Sequence, residues 1–192
     1  MKKKLMAIAL CTIIGVMAIA GSSLAWLQDS TDPVINTFTE GKVYIDLYEH
    51  EYDLATNELT TTVTREGVNN YKMVPGDVLP KDPTVVVKAD SEACWLFVKF
   101  EKSDNVDTFL QYEIDSAWIA LTGETGVYYR EVSASNADQS FAVLKDNQVT
   151  VDSKVTMKDM EDNDSNPTMT FTAYAVQKAN VANAAAAWAL FN

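Results

Sequence analysis

The sequence predicts an all-β protein: an antiparallel sandwich of jelly-roll type with a short C-terminal helical segment. Three observations predict it. Apolar and polar residues alternate with a period of two along most of the chain, turn signals recur roughly every ten residues, and helix-forming composition gathers mainly at the end. Residues 42–49 open the series, with Val43, Ile45 and Leu47 alternating against Tyr44, Asp46 and Tyr48 as in a half-buried strand. Residues 59–64 are rich in Thr and Val, the composition of an exposed strand. Residues 84–89 and 94–101 are near-continuous apolar runs. Ala89-Asp90-Ser91-Glu92-Ala93 between them has the length and composition of a hairpin connection. Residues 118–122 and 127–132 flank Gly123-Glu124-Thr125-Gly126 and read as another hairpin. Residues 148–157 and 168–177 complete the strands, joined by a polar loop over 159–167. Helix is expected in two places, a short turn at 104–110 and the Ala-rich segment 180–191. With no internal repeat and no long Pro/Gly/Ser linker, residues 26–192 are expected to form one β-sandwich domain with an N-terminal arm over 26–40.

The first 25 residues read as a cleaved secretory signal. Lys2, Lys3 and Lys4 form a basic start, residues 5–19 carry no charge, and Gly21-Ser22-Ser23-Leu24-Ala25 supplies small residues. Cleavage is expected after Ser23-Leu24-Ala25, making Trp26 the mature start. The apolar run, about 15 residues, falls short of the roughly 20 that a spanning helix needs, so no mature membrane anchor is expected. Cys11 lies inside the apolar core, out of place for lipid attachment, and Leu79-Pro80-Lys81-Asp82-Pro83 lacks the Thr-Gly of a wall-sorting signal. The expected location is secreted, in an extracellular matrix or at the cell surface.

Charge and cysteine count exclude several classes. The chain has 15 basic and 27 acidic residues, and cleavage removes three of the basic ones while all the acidic ones stay. Such a chain has no basic stripe to neutralise phosphates, so no nucleic acid partner is expected. Cys94 is the sole cysteine after residue 25, which excludes an intramolecular disulfide. Its apolar neighbours predict a buried, inert thiol.

Catalytic and metal chemistry find little footing. His50, between Glu49 and Glu51, is the only histidine. A zinc protease needs two histidines four apart on a helix, and a serine triad also needs its nucleophile in a sharp turn. Strand alternation puts Glu49 and Glu51 on one face and His50 on the other, at what reads as a surface strand end. Among loops, Asp162, Asp164 and Asn166 match the first half of a calcium loop. Pro167 replaces the turn glycine and Ala173 the bidentate Glu, so an EF-hand is rejected and these three remain weak candidates for a bound Ca ion. No other cofactor is expected. Glu113 and Asp115 share a strand face but carry no pocket signature that would support glycosidase chemistry.

Three segments resemble the TasA/camelysin-like family of exported proteins. The first is Ala25-Trp26-Leu27-Gln28-Asp29 followed by Asn36-Thr37-Phe38-Thr39-Glu40-Gly41-Lys42-Val43. The second is Tyr71-Lys72-Met73-Val74-Pro75-Gly76-Asp77 with Lys81-Asp82-Pro83, and the third is Ala173-Tyr174-Ala175-Val176-Gln177 before Trp188. Residues 102–166 carry no resemblance. The likeness implies export through a SipW-type signal peptidase, a jelly-roll-like sandwich, and self-association into biofilm-matrix fibres by strand addition. In that family an N-terminal strand of one subunit completes the sheet of the next. Here the extended, Pro-interrupted arm 26–38, with Trp26, Leu27, Val34, Ile35 and Phe38 as apolar anchors, reads as such a donor strand, the alternative being that it packs on its own domain. Some members carry a metalloendopeptidase label, which a lone His50 does not support. A monomeric extracellular binding domain is the third reading.

Overall fold

The computed structural model describes residues 40–65, 69–161 and 166–191. The signal segment, the cleavage positions Ser23, Ala25 and Trp26, the arm anchors Leu27, Val34, Ile35 and Phe38, and both Asp162 and Asp164 lie outside them. The described chain is mostly antiparallel β-structure.

The first sheet has the order β2-β1-β4-β9, built from β1 (Ile45–Asp53), β2 (Glu58–Thr64), β4 (Thr84–Val87) and β9 (Gln139–Ala142). The second has the order β11-β5-β8-β7, from β5 (Cys94–Lys102), β7 (Ile119–Ala120), β8 (Val127–Val132) and β11 (Met169–Gln177). A third, small sheet pairs β3 (Val78–Pro80), β10 (Gln148–Val151) and β6 (Leu110–Gln111). Among the described residues, three short α-helices, α1 (Val106–Phe109), α2 (Met157–Glu161) and α3 (Ala184–Trp188), and a 3-10 turn at Lys145–Asn147 complete the fold.

The alternation along β1 is realised as expected. Ile45 and Leu47 pack into a core with Val85 and Val87 of β4, and opposite them stand Leu96 and Val98 of β5. The near-continuous apolar run of β5 has a different cause. Its sheet is covered on both faces along Cys94–Val98, so none of those five positions looks to water, and only the end of the strand, at Glu101 and Lys102, is exposed. Cys94, Leu96 and Val98 face the sandwich interior, while Trp95 and Phe97 face Ala184, Ala187 and Trp188 of α3. A separate cluster of Leu79, Val106, Phe109, Leu144, Val149 and Val151 closes the end of the molecule carrying the small sheet.

Several expectations need correction. Residues 89–93 are not a hairpin: β4 pairs with β1 and β9, and β5 pairs with β11 and β8. The segment crosses from one sheet to the other, because two strands whose apolar faces are both fully buried gain more by facing each other than by lying side by side. The strand expected over 148–157 stops at Val151, and α2 begins at Met157 inside what read as strand and loop. A local cap explains it. The Asp159 carboxylate accepts from the Thr156 N–H at 2.8 Å and its hydroxyl at 2.6 Å, and Thr156 Oγ1 accepts from the Asp159 N–H at 3.2 Å. The C-terminal helix is shorter than 180–191. Asn180 has a φ of 64°, and the helix starts only where the Asn183 side chain accepts from the Ala186 N–H at 2.9 Å.

Cys94 is buried, and burial pushes its thiol up to about 11. Because the thiolate is the nucleophile, the native protein at about pH 8 is expected to resist alkylation for hours, and denaturant is expected to expose the thiol to labelling within minutes. Mass spectrometry of alkylated samples with and without denaturant checks this.

Candidate functional site

A groove of about 500 Å³ opens where β1 approaches β11. Leu47, Tyr48 and Glu49 line it from β1, and Met169, Thr170 and Phe171 from β11. Met73, Leu79, Leu110 and Val149 contribute apolar walls. Both bounding strands have backbone outside a ladder. Among the described residues β11 is hydrogen-bonded to β5 alone, through nine consecutive residue pairs, and its other edge has no strand partner. The β2 ladder reaches β1 only from Glu49 onward, so Ile45, Asp46, Leu47 and Tyr48 pair with β4 on one side only.

A charged cluster closes one end of this groove. Lys81, just before β4, is 7% exposed, and its Nζ donates to Glu49 Oε1 at 2.9 Å and Oε2 at 3.1 Å. The ammonium lies 5.4 Å from the centre of the Tyr71 ring and 5.5 Å from that of Phe171, close enough for cation–π attraction. The Asn69 side chain bridges several partners. Its Nδ2 donates to Glu49 Oε2 at 3.2 Å and to the His50 carbonyl at 3.0 Å, while its Oδ1 accepts from the Tyr52 N–H at 3.2 Å. Burial, with Glu49 and Asp82 nearby, holds the Tyr71 phenol well above its ordinary range, so it stays neutral.

His50 is less isolated than strand alternation suggests. Asp82, 7% exposed, accepts from the His50 N–H through Oδ1 at 3.0 Å and meets Nδ1 through Oδ2 at 2.5 Å. Continuing the β1–β4 register two residues past the Tyr48–Thr84 pair sets His50 opposite Asp82 and puts Glu49 diagonal to Lys81. Glu49-His50 and Lys81-Asp82 are thus complementary pairs brought together by one register. Each half is visible in the sequence, but the sequence does not say that they meet. Glu51, by contrast, is exposed, and the β1–β2 register shifts between His50 and Tyr52.

The other sequence candidates do not join this site as ligands. Asn166 is exposed on the groove's rim, while Asp162 and Asp164 lie outside the described residues. Glu113 is exposed and paired with Lys145 at 2.5 Å, and Asp115 accepts from the Ala117 N–H at 2.9 Å. Among the described residues, no group of three or more His, Cys, Asp or Glu side chains is gathered as a metal ion would need. No helix among them is long and apolar enough to cross a membrane. Comparison with family models, with curated proteins and with solved structures gives no match.

Proposed function

We propose that this chain is a secreted structural subunit of extracellular, biofilm-matrix-like fibres, processed by a SipW-type signal peptidase and assembled by β-strand addition. The sandwich would then be of jelly-roll type, as in the TasA/camelysin-like family that the sequence resembles. One observation carries the reading: the nine-residue edge of β11, without a strand partner among the described residues, borders an apolar-walled groove whose opposite side is the start of β1, paired there on one side only. An edge of that length spans about 30 Å and offers free N–H and C=O groups on alternate residues. The arm over residues 26–38 is long enough to cover it. In a strand added there, alternate side chains enter the groove, and each fully buried one contributes roughly 1.5–3 kcal/mol. The anchors Trp26, Leu27, Val34, Ile35 and Phe38 are of the size such walls accept.

The processed protein is expected to form filaments visible by electron microscopy. Deleting residues 26–38 is expected to abolish them and leave a folded monomer, and a peptide of that segment added in excess is expected to cap growth of the intact protein. Filaments unchanged by the deletion would sink strand donation. Chelator-sensitive proteolysis that depends on His50 would favour the peptidase reading instead.

A further inference from the structure

We propose that the chain carries an intramolecular amide crosslink between Lys81 and Asn69, formed without any other enzyme and with Glu49 as the proton carrier. Three things favour such a bond: an amine held beside a carboxamide, a carboxylate touching both, and burial of the amine. The cluster at the groove's end has all three. Lys81 Nζ and Asn69 Nδ2 both donate to the same oxygen, Glu49 Oε2, at 3.1 and 3.2 Å. Glu49 Oε1, 2.9 Å from Nζ, is placed to take the amine's proton. The Tyr71 and Phe171 rings flank the nitrogen, and Lys81 is buried.

The amide is also held in a reactive orientation. Its Nδ2 faces two acceptors, Glu49 and the His50 carbonyl, and its Oδ1 faces a donor, the Tyr52 N–H. Flipping the group would set like against like, so only one orientation is satisfied.

The reaction balances within the cluster. Glu49 accepts a proton from the Lys81 ammonium, and the neutral Nζ attacks Cγ of Asn69. Charge then develops on Oδ1, where the Tyr52 N–H already donates, as an oxyanion donor would. Glu49 passes its proton to Nδ2 and takes the second proton from the now cationic Nζ. The Cγ–Nδ2 bond breaks, and ammonia leaves with that proton from Glu49, as ammonium, while the neutral Nζ–Cγ amide forms. One C–N bond forms and one breaks, with no oxidant or cofactor. Glu49, Asn69 and Lys81 all line the groove, which gives the ammonia an exit.

The bond has a structural use that a buried ion pair lacks. A buried Lys–Glu pair contributes little over apolar residues of similar volume, because desolvation offsets the attraction. A covalent link from Asn69 to Lys81 closes the chain between β2 and β4 into a loop, constraining the unfolded state as a disulfide does. Cys94 is the only free cysteine among the described residues and has no partner to serve that purpose. This inference stands whether or not the chain assembles.

Peptide mapping of the purified full chain by tandem mass spectrometry tests it. The expected result is a tryptic species joining the Asn69 segment to the Lys81 segment, one ammonia lighter than their sum, with no cleavage after Lys81. Lys81→Arg and Glu49→Gln, checked for folding by circular dichroism, are each expected to yield the unlinked peptides. Unlinked Asn69 and Lys81 peptides from the wild-type chain overturn the proposal, and that measurement needs no variant to fold. A crosslink formed as fully in folded Glu49→Gln as in wild type overturns the role given to Glu49.

Discussion

Replacing Phe97 with alanine is expected to lower the free energy of unfolding by about 3–5 kcal/mol, the range for deleting a buried aromatic ring. Phe97 is 0% exposed, and it is the residue on which α3 is seated. Its ring lies 5.3 Å from Trp188, 6.2 Å from Tyr129 and 6.1 Å from Phe191, centre to centre. Its removal opens a cavity between the sheet and the helix. A helix of five residues has little stability of its own, so it depends on this contact rather than on its alanines. Urea unfolding followed by far-ultraviolet circular dichroism and by tryptophan fluorescence gives the number. The fluorescence of Trp188 should change even under native conditions. A loss below about 1 kcal/mol would mean that α3 does not rest on Phe97.

The second large effect is expected at Gly126, in the turn between β7 and β8. Gly126 has a φ of +72°, and a Cβ added there would stand 2.4 Å from the carbonyl oxygen of Phe100. The close approach is required, because the Phe100 N–H donates to the Gly126 carbonyl at 2.8 Å, linking this turn to β5. Gly126→Ala must therefore move backbone, and is expected to destabilise by about 3 kcal/mol from strain and overpacking together. Gly123 is the internal control. Its φ is +90°, but a Cβ there meets nothing within 4 Å. Gly123→Ala should then carry only the conformational cost, about 1 kcal/mol. Equal losses in the two variants, measured by thermal or urea unfolding, would show that contact with Phe100 is not what constrains Gly126.

The core strands were legible where one local signal decided them. β1, β2, β5, β8 and β11 sit within a few residues of the positions that alternation and apolar runs predict. The short elements were not: β3 and β6, with three and two residues, are too brief to show a period, and both exist because β10 pairs with them. α2 is a different case. Thr156 and Asp159 are spaced as a capping box, a signal present in the sequence but outweighed there by the acidic run that follows. At the groove, Lys81-Asp82-Pro83 and Glu49-His50 are each visible as local motifs, whereas nothing in the sequence marks Asn69. Glu49 meets Lys81 across 32 residues and Asn69 across 20, separations beyond any local pattern.

Alternation, turn residues and caps depend on neighbours a few positions apart, and so the chain's β character could be read residue by residue. Which strands share a sheet, which edge stays unpaired, and which lysine is buried against which glutamate depend on contacts distant in sequence. Those contacts form only when burial of both faces outweighs the entropy of closing the loops between them. That is why the segment 89–93, equally suited to a hairpin or a crossover, became a crossover. It is also why Lys81, an ordinary surface residue by type, ended between two aromatic rings with Glu49 as its partner.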